Sequence, residues 1–370
     1  AIGLPLTVLG LPNAWSDPFV WLENIFKGFG LLFKKQSYPD VLILEVGISK
    51  PGDIKNNILK WLRVDVLLYT VFPEVPAHVE FFGSKDAVFL EKSRLIKSLK
   101  KGGVLILNHD DERVYSLHQK SKERVVSFGL DENATYRVSY PSYIYKKYEN
   151  TEIPEGINFK LEYKGNTYPV LVNNILGLHN TMQASGALAC ASEMSVDMLS
   201  AISSLLNYKN QPGRMCLLQG VDSSLIIDDS YNSSPVANIA ALEVLKEVKG
   251  KRKIAVLGDM LELGKHTEEE HQNIGYLASS VVDILITIGP RSLFFREGAI
   301  KNGFVEKNIF SFTNVESSVS FVSGLIKEGD VVLVKGSQGV RLEKLVENLI
   351  LNKSNKDSLL CRQEKEWKGK

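Results

Sequence analysis

Cysteine is scarce in this chain: Cys190, Cys216 and Cys361 are the only three in 370 residues. So few, so scattered, exclude a disulfide framework or a zinc knuckle, and the expected setting is a reducing compartment, most simply the cytoplasm. An excess of either charge is missing too. Lys+Arg 44 against Asp+Glu 43 leaves +1, which removes the global basic field that nucleic-acid binders use, so no nucleic-acid partner is expected. No apolar run approaches the ~18 residues that span a bilayer, and no signal-like start precedes a cleavage site. Two phosphate-binding signatures are also absent, G-x-x-x-x-G-K-[ST] and G-x-G-x-x-G. The nearest approach runs from Gly258 to Gly264-Lys265-His266, with five residues between the glycines and His where a hydroxyl is required. His266 and His271 stand five apart, off the i,i+4 spacing of a shared helical metal site.

What remains is ordinary globular composition: 44% hydrophobic, 24% charged and 9% aromatic. At about two and a half times a ~150-residue domain, the length predicts two domains. Residues 1–39 read as irregular and aromatic-rich. Short apolar runs follow at Asp40–Gly47, Val64–Phe72, Gly103–Leu107 and Arg124–Phe128, with a helical pattern near 85–101. Such runs alternating with helices predict a buried, mostly parallel sheet. Residues 130–175 read as antiparallel strands, and a long helix starts near Asn180. Pro212-Gly213 marks the linker, because Pro-Gly cannot continue a helix. Beyond it the rhythm restarts, with strands at 224–228, 253–257, 282–288 and 330–335 and helices near 235–248, 267–280, 315–327 and 340–352. The fold expected is α/β, with domains over 1–211 and 212–352 and a charged flexible tail over 353–370.

Several polar residues fall where such sheets gather ligands, at the carboxyl ends of strands. Glu45 ends an apolar strand, suiting either a cation or simple escape to solvent. His78 follows the strand 64–72, and Lys92 lies in the next helical segment; each is equally at home as an exposed side chain. Asn180 opens a helix as a plausible cap. Arg214 precedes Asp229 by 15 residues, and the turn Asp228-Asp-Ser-Tyr-Asn232 suits ribose or metal contacts as well as an ordinary turn. Lys335-Gly-Ser337 ends a strand and leads into a helix N-terminus suited to anions.

Six ordered stretches give these residues a shared meaning: IGLPLTVLGL, VLILEVGISKPGDI, HVEFFGS with LEKSRL and LNHDD, GLHN, PGR with IIDDSYNSSP, and VLGDMLELG with LVKGSQGVRLE. Together they resemble the Mur ligases, in the branch that joins D-alanyl-D-alanine to UDP-N-acetylmuramoyl-tripeptide. The resemblance implies a central ATPase-type domain with a mostly parallel sheet, truncated at its N-terminus, followed by a Rossmann-like C-terminal domain. It implies ATP and Mg²⁺ as cofactors, UDP-N-acetylmuramoyl-tripeptide and D-alanyl-D-alanine as partners, and a monomer. The reaction it implies passes through an acyl phosphate that the incoming amine displaces, so positioning and charge neutralisation dominate the site. Residue by residue, it makes Glu45 and His78 magnesium ligands and Lys92 a lysine that is carbamylated in the family, with these three converging at one carboxyl edge of the central sheet. Asn180 would face adenine, Arg214 a nucleotide phosphate and Asp229 the ribose. Asn232, Lys335 and Ser337 would face nucleotide and substrate across the interdomain cleft.

The sequence departs from the family pattern at Gln183, Ser234 and Gln338, where Asn, Asn and Arg are usual. It also lacks the phosphate loop that opens the family's central domain, and it begins with Ala1. These features predict part of a longer ligase that needs the loop for turnover. The alternatives are a non-catalytic Mur-like binding module and another Mur-type or folylpolyglutamate-type amide ligase.

Overall fold

The computed structural model describes residues 3–31, 33, 38–76, 79–148, 151–364 and 367. Two six-stranded sheets organise them. The first comprises β1 (Val64–Tyr69), β2 (Leu99–Asn108), β3 (Arg124–Gly129), β4 (Tyr136–Tyr148), β5 (Thr151–Tyr163) and β6 (Asn166–Asn173), in chain order across the sheet. β1 to β4 run parallel, and β5 and β6 return antiparallel. Parallel strands covered on both faces need apolar side chains throughout, and Val104–Leu107 of β2 are all buried. One face packs on the helix Asn180–Glu193 through Ala184, Leu188 and Ala189; the other covers Ile54, Val88, Leu95 and Leu117.

The second sheet contains β7 (Cys216–Gln219), β8 (Leu225–Asp229), β9 (Arg252–Gly258), β10 (Ile284–Ile288), β11 (Ile309–Phe312) and β12 (Asp330–Lys335). Its order is β11-β10-β9-β12-β8-β7, parallel except for β7. The last strand, β12, is inserted between β8 and β9, so the chain runs outward in two directions from this point. The carboxyl ends beside such a reversal form a crevice. The helices Thr267–Ser279 and Leu293–Lys301 pack backbone to backbone against one side: a Cβ on Gly298 would stand 1.9 Å from the Gln272 carbonyl oxygen.

Four expectations need correction. Asp40–Gly47 is not a strand: it has no ladder partner, and Val41, Leu42 and Ile43 are exposed. An apolar run becomes a strand only where its backbone groups find partners. Within 1–39, the expected irregular stretch holds two helices, Gly3–Leu9 and Pro18–Gly30. The second is capped by Asp17, whose side chain accepts from the Phe19 and Val20 amides, with Pro18 at its first turn. The helical pattern near 85–101 ends early, as a helix Lys85–Ser93 and a 3₁₀ turn Arg94–Ser98 that hand over to β2 at Leu99. Finally, part of the expected flexible tail is packed: Leu360, Cys361 and Arg362 are buried, because Leu360 completes the apolar layer over β8 and β12.

Candidate functional site

The site is built where β8, β12 and β9 end. Register places Lys335 of β12 opposite Asp229 of β8 on one side and Leu257 of β9 on the other. Lys335, 2% exposed, donates through Nζ to Asp229 Oδ2 at 2.5 Å and to the Asn232 carbonyl at 3.0 Å. The second Asp229 oxygen accepts from the Met215 amide at 3.1 Å. A buried ammonium is tolerated only with such partners. Asp229 is thereby held rigidly, with both oxygens committed to the protein in this arrangement.

Arg214 lies next to this pair. Its guanidinium stacks 4.1 Å over the Tyr231 ring, and the side chain stays exposed. The turn that carries Tyr231 is fixed by its amide donating to the Gly213 carbonyl at 2.9 Å. Gly213 itself has φ +72°, a conformation that favours glycine. Asn232 is exposed, its Oδ1 accepting from the Ser233 amide. Ser337 is buried and serves the neighbouring loop: its hydroxyl accepts from the Leu261 amide, and its own amide donates to the Asp259 carbonyl.

The first sheet reaches this point through the turn Gly177–Asn180. Asn180 is the first helical residue rather than the cap: His179 occupies the cap position, and the Asn180 side-chain Nδ2 donates to the Leu176 carbonyl. Charges of the second unit act on His179 of the first. Surrounding protein strips water from its ring and holds its pKa below the usual imidazole value; Asp229 and Glu243 pull it up and Lys335 pushes it further down. Arg214, Asp229, Asn232 and Lys335 thus cluster at one turn of the second unit, whereas Ser337 serves the neighbouring Asp259–Leu261 loop and Asn180 follows His179 on the first unit.

Glu45 and Lys92 form a separate pair. Lys92 sits half-buried near the Phe72 ring, and its carbonyl accepts from the Tyr69 hydroxyl. Burial lowers the Lys92 pKa, and the Glu45 carboxylate opposes that shift. Glu45 is exposed and lies on the unpaired segment rather than at a strand end. His78 lies outside the described residues, so the expected three-way convergence reduces to Glu45 with Lys92. Among the described residues, no group of three or more His, Cys, Asp or Glu is arranged to hold a metal ion. Between the two units, a cleft of about 710 Å³ is walled by Glu74, Glu80 and Lys85 on one side and Lys265, His266 and Glu270 on the other.

Comparison with known proteins gives this arrangement its context. Two family models match in tandem: the Mur ligase middle domain over residues 23–191, and the Mur ligase, glutamate ligase domain over 213–338. The chain belongs to the Mur ligase family. The UDP-N-acetylmuramoyl-tripeptide--D-alanyl-D-alanine ligase of Bacillus subtilis is 29% identical over 354 residues, covering 94% of this chain and 67% of that protein. The Escherichia coli enzyme of the same name is 27% identical, covering 84% and 65%. Among solved structures, the MurF ligase of Thermotoga maritima in complex with ADP superposes with a TM-score of 0.65 at 25% identity, covering 81% of this chain and 64% of that one. The chain thus spans about two thirds of the length of these relatives.

Three buried polar residues take on a character that their motifs do not give. His271 keeps its Nδ1 proton on the Thr267 carbonyl and accepts at Nε2 from the Met260 amide, with its pKa pushed down to about 4 by burial. Asp259 is raised by burial against the opposing hydrogen bonds from Ser292 and charge of Arg291. Asp228 is fully buried and pushed up to about 6 by the same cause. All three are met in reading the sequence, but their burial is visible in the structure alone. No described helix is long and apolar enough to cross a membrane.

Proposed function

We propose that this chain is the nucleotide- and metal-binding part of an ATP-dependent amide ligase of peptidoglycan precursor synthesis, joining D-alanyl-D-alanine to UDP-N-acetylmuramoyl-tripeptide. The carrying observation is the buried Lys335–Asp229 pair at the sheet's reversal point, whose charges reach His179 of the first unit. In this reading an adenine nucleotide lies across the junction: Asn180 faces the base, Asp229 the ribose and Arg214 a phosphate. Binding requires Asp229 to exchange one of its internal partners for a ribose hydroxyl, while Lys335 holds the carboxylate in place.

Glu45 and Lys92 fit a magnesium ion in one specific form. A cationic Lys92 beside Glu45 would repel it, but burial favours the neutral amine, which adds to carbon dioxide with loss of a proton to give a carbamate. Glu45 and the carbamate would then offer hard oxygens, the donors Mg²⁺ prefers while it keeps several waters. The metal, when bound, supplies charge neutralisation for phosphoryl transfer. The charged cleft between the units is placed to receive the amine. Pro212-Gly213 serves as the hinge whose closure excludes water from the acyl phosphate.

Calorimetric titration with ADP tests the nucleotide reading. The 370-residue chain should bind ADP, and Asp229→Ala should weaken binding by at least about tenfold, since a charge-assisted hydrogen bond is worth ~1.5–3 kcal/mol. Unchanged affinity in Asp229→Ala would remove the nucleotide from this junction. Phosphate release with both substrates and Mg²⁺ is expected only when the chain is joined to a segment carrying a phosphate loop; turnover by the 370 residues alone would show that the loop is dispensable.

A further inference from the structure

The packed C-terminal segment reaches the proposed nucleotide junction. After the short helix Lys356–Leu359, the chain buries Leu360, Cys361 and Arg362. Cys361 packs on Gly213, where an added Cβ would stand 2.9 Å from its sulfur, and its Sγ lies 3.7 Å from the Ser230 hydroxyl. Arg362 enters the same space. Its Nη2 donates to the Ser230 carbonyl at 2.9 Å and to the Tyr231 carbonyl at 3.1 Å, and its guanidinium stands 5.4 Å over the Tyr231 ring. Glu343, itself buried, lies 3.5 Å from Nη2 and also pairs with Arg341.

These contacts fall on the residues between Asp229 and Asn232, the turn that carries the ribose and phosphate contacts of the proposed site. Carbonyls in a turn have no sheet or helix partner to hold them, so a buried guanidinium with several fixed donors is a strong restraint. Neighbouring Asp228 adds to the demand. One of its oxygens accepts from the Ser230 amide and the other has no hydrogen-bond partner. The turn therefore sits on a buried carboxyl that cannot itself hold the far side.

We propose that Arg362 is a positioning residue: from the C-terminal segment it fixes the Ser230–Asn232 turn, and thereby sets Asp229, Tyr231 and Arg214 for nucleotide. This rests on the nucleotide reading above for its purpose, but the restraint itself is testable without ligand. In ligand-free protein, hydrogen exchange of the Tyr231 amide should accelerate about tenfold or more in Arg362→Ala, and less in Arg362→Lys, which keeps the charge near Glu343 but not the forked donors. Exchange in β10 should stay unchanged, separating a local release from general destabilisation. ADP affinity should fall in the same order of variants, by about tenfold for Arg362→Ala. If Arg362→Lys folds and Tyr231 exchanges as in the wild type, with Arg362→Ala the same or too unstable to purify, the proposal is overturned. Faster Tyr231 exchange in Arg362→Ala, with a wild-type protein that binds no ADP, would uphold the restraint and refute the nucleotide reading instead.

Discussion

In β9, Ile254, Ala255, Val256 and Leu257 are 0% exposed, whereas Ile43 in the equally apolar run Val41–Leu44 is 88% exposed. The two stretches are near equals in composition, and only one is a strand. β9 lies between β10 and β12, which satisfy its backbone on both sides and leave helices to cover its faces. Residues 40–47 have no ladder partner and Val41–Ile43 no cover, although Leu44, Val46 and the buried Ile48 just beyond pack on the first core. The helix Pro18–Gly30 repeats the contrast, with Phe19, Phe26 and Phe29 exposed and Asn24 its buried residue. Apolar sequence supplies the capacity for burial, and the neighbours decide whether it is used.

The comparison breaks most visibly at Lys335. Lys335→Ala leaves Asp229 without its cation in a nearly closed site, and a loss of about 3–5 kcal/mol in unfolding free energy is expected. Urea unfolding with the double variant Lys335→Ala/Asp229→Ala checks this, because removing both charges should recover much of the loss. A loss below about 1 kcal/mol for the single variant would mean that water reaches the pair.

Acid sharpens it next, through two buried groups of the second unit with opposite signs. His271 has its pKa lowered from 6.5 to about 4, so its contribution to stability is complete above pH 6.5 and is lost as pH falls through 4. The main cause is burial, and a proton on Nε2 would in addition face the Met260 amide donor. Asp228 is raised from 3.8 to about 6, so its contribution is complete below pH 3.8 and is lost as pH rises through 6. Between pH 4 and 6 the two offset. His271→Gln keeps an acceptor and removes the titration, so between pH 6.5 and 4 it should gain on the wild type by ~2–3 kcal/mol. Unfolding curves that stay parallel for both proteins across this range would refute the assignment.

A single type of substitution then separates the two regions by sign. Gly298→Ala drives a methyl into the Gln272 carbonyl and should cost about 1–3 kcal/mol, seen as a lower Tm. Gly28→Ala, in the helix Pro18–Gly30, meets nothing within 4 Å. It should strengthen that helix by roughly 0.5–1 kcal/mol, read as increased helical content.

The same contrast explains what was legible in the sequence. β8, β9, β10 and β12 are continuous apolar runs between turn signals, and their positions follow from that pattern alone. β7 and β11 were not expected: Cys216–Gln219 and Ile309–Phe312 are four-residue, half-buried edge strands, too short to show a period. The helix Leu293–Lys301 shows no clear period in the sequence, because its buried face is Phe295, Gly298 and Ala299 while the apolar Leu293 and Ile300 are exposed. At the site, Asp229, Lys335 and Arg214 stood out by their motifs. Arg362 did not, because its importance comes from a fold-back across 131 residues to Tyr231. Charge content made that segment look solvated, and Leu360 and Cys361 reversed the outcome by supplying the apolar anchor.

The smallest expected effect is the one that tests the comparison from the exposed side. Ile43→Thr keeps β-branching, so backbone preference changes little, and it exchanges a methyl-bearing arm for a hydroxyl. At a buried position that exchange would leave an unsatisfied hydroxyl and a lost packing contact, costing on the order of 1–3 kcal/mol. At 88% exposure the hydroxyl is solvated and no packing contact is lost, so the expected change lies within about 0.5 kcal/mol. Ile254→Thr in β9 is the matched control and should show the full buried cost. Equal losses for the two would mean that residues 40–49 find a strand partner in solution, through a second copy of the chain or another protein. A concentration-dependent Tm for the wild type, abolished in Ile43→Thr, would identify the second copy.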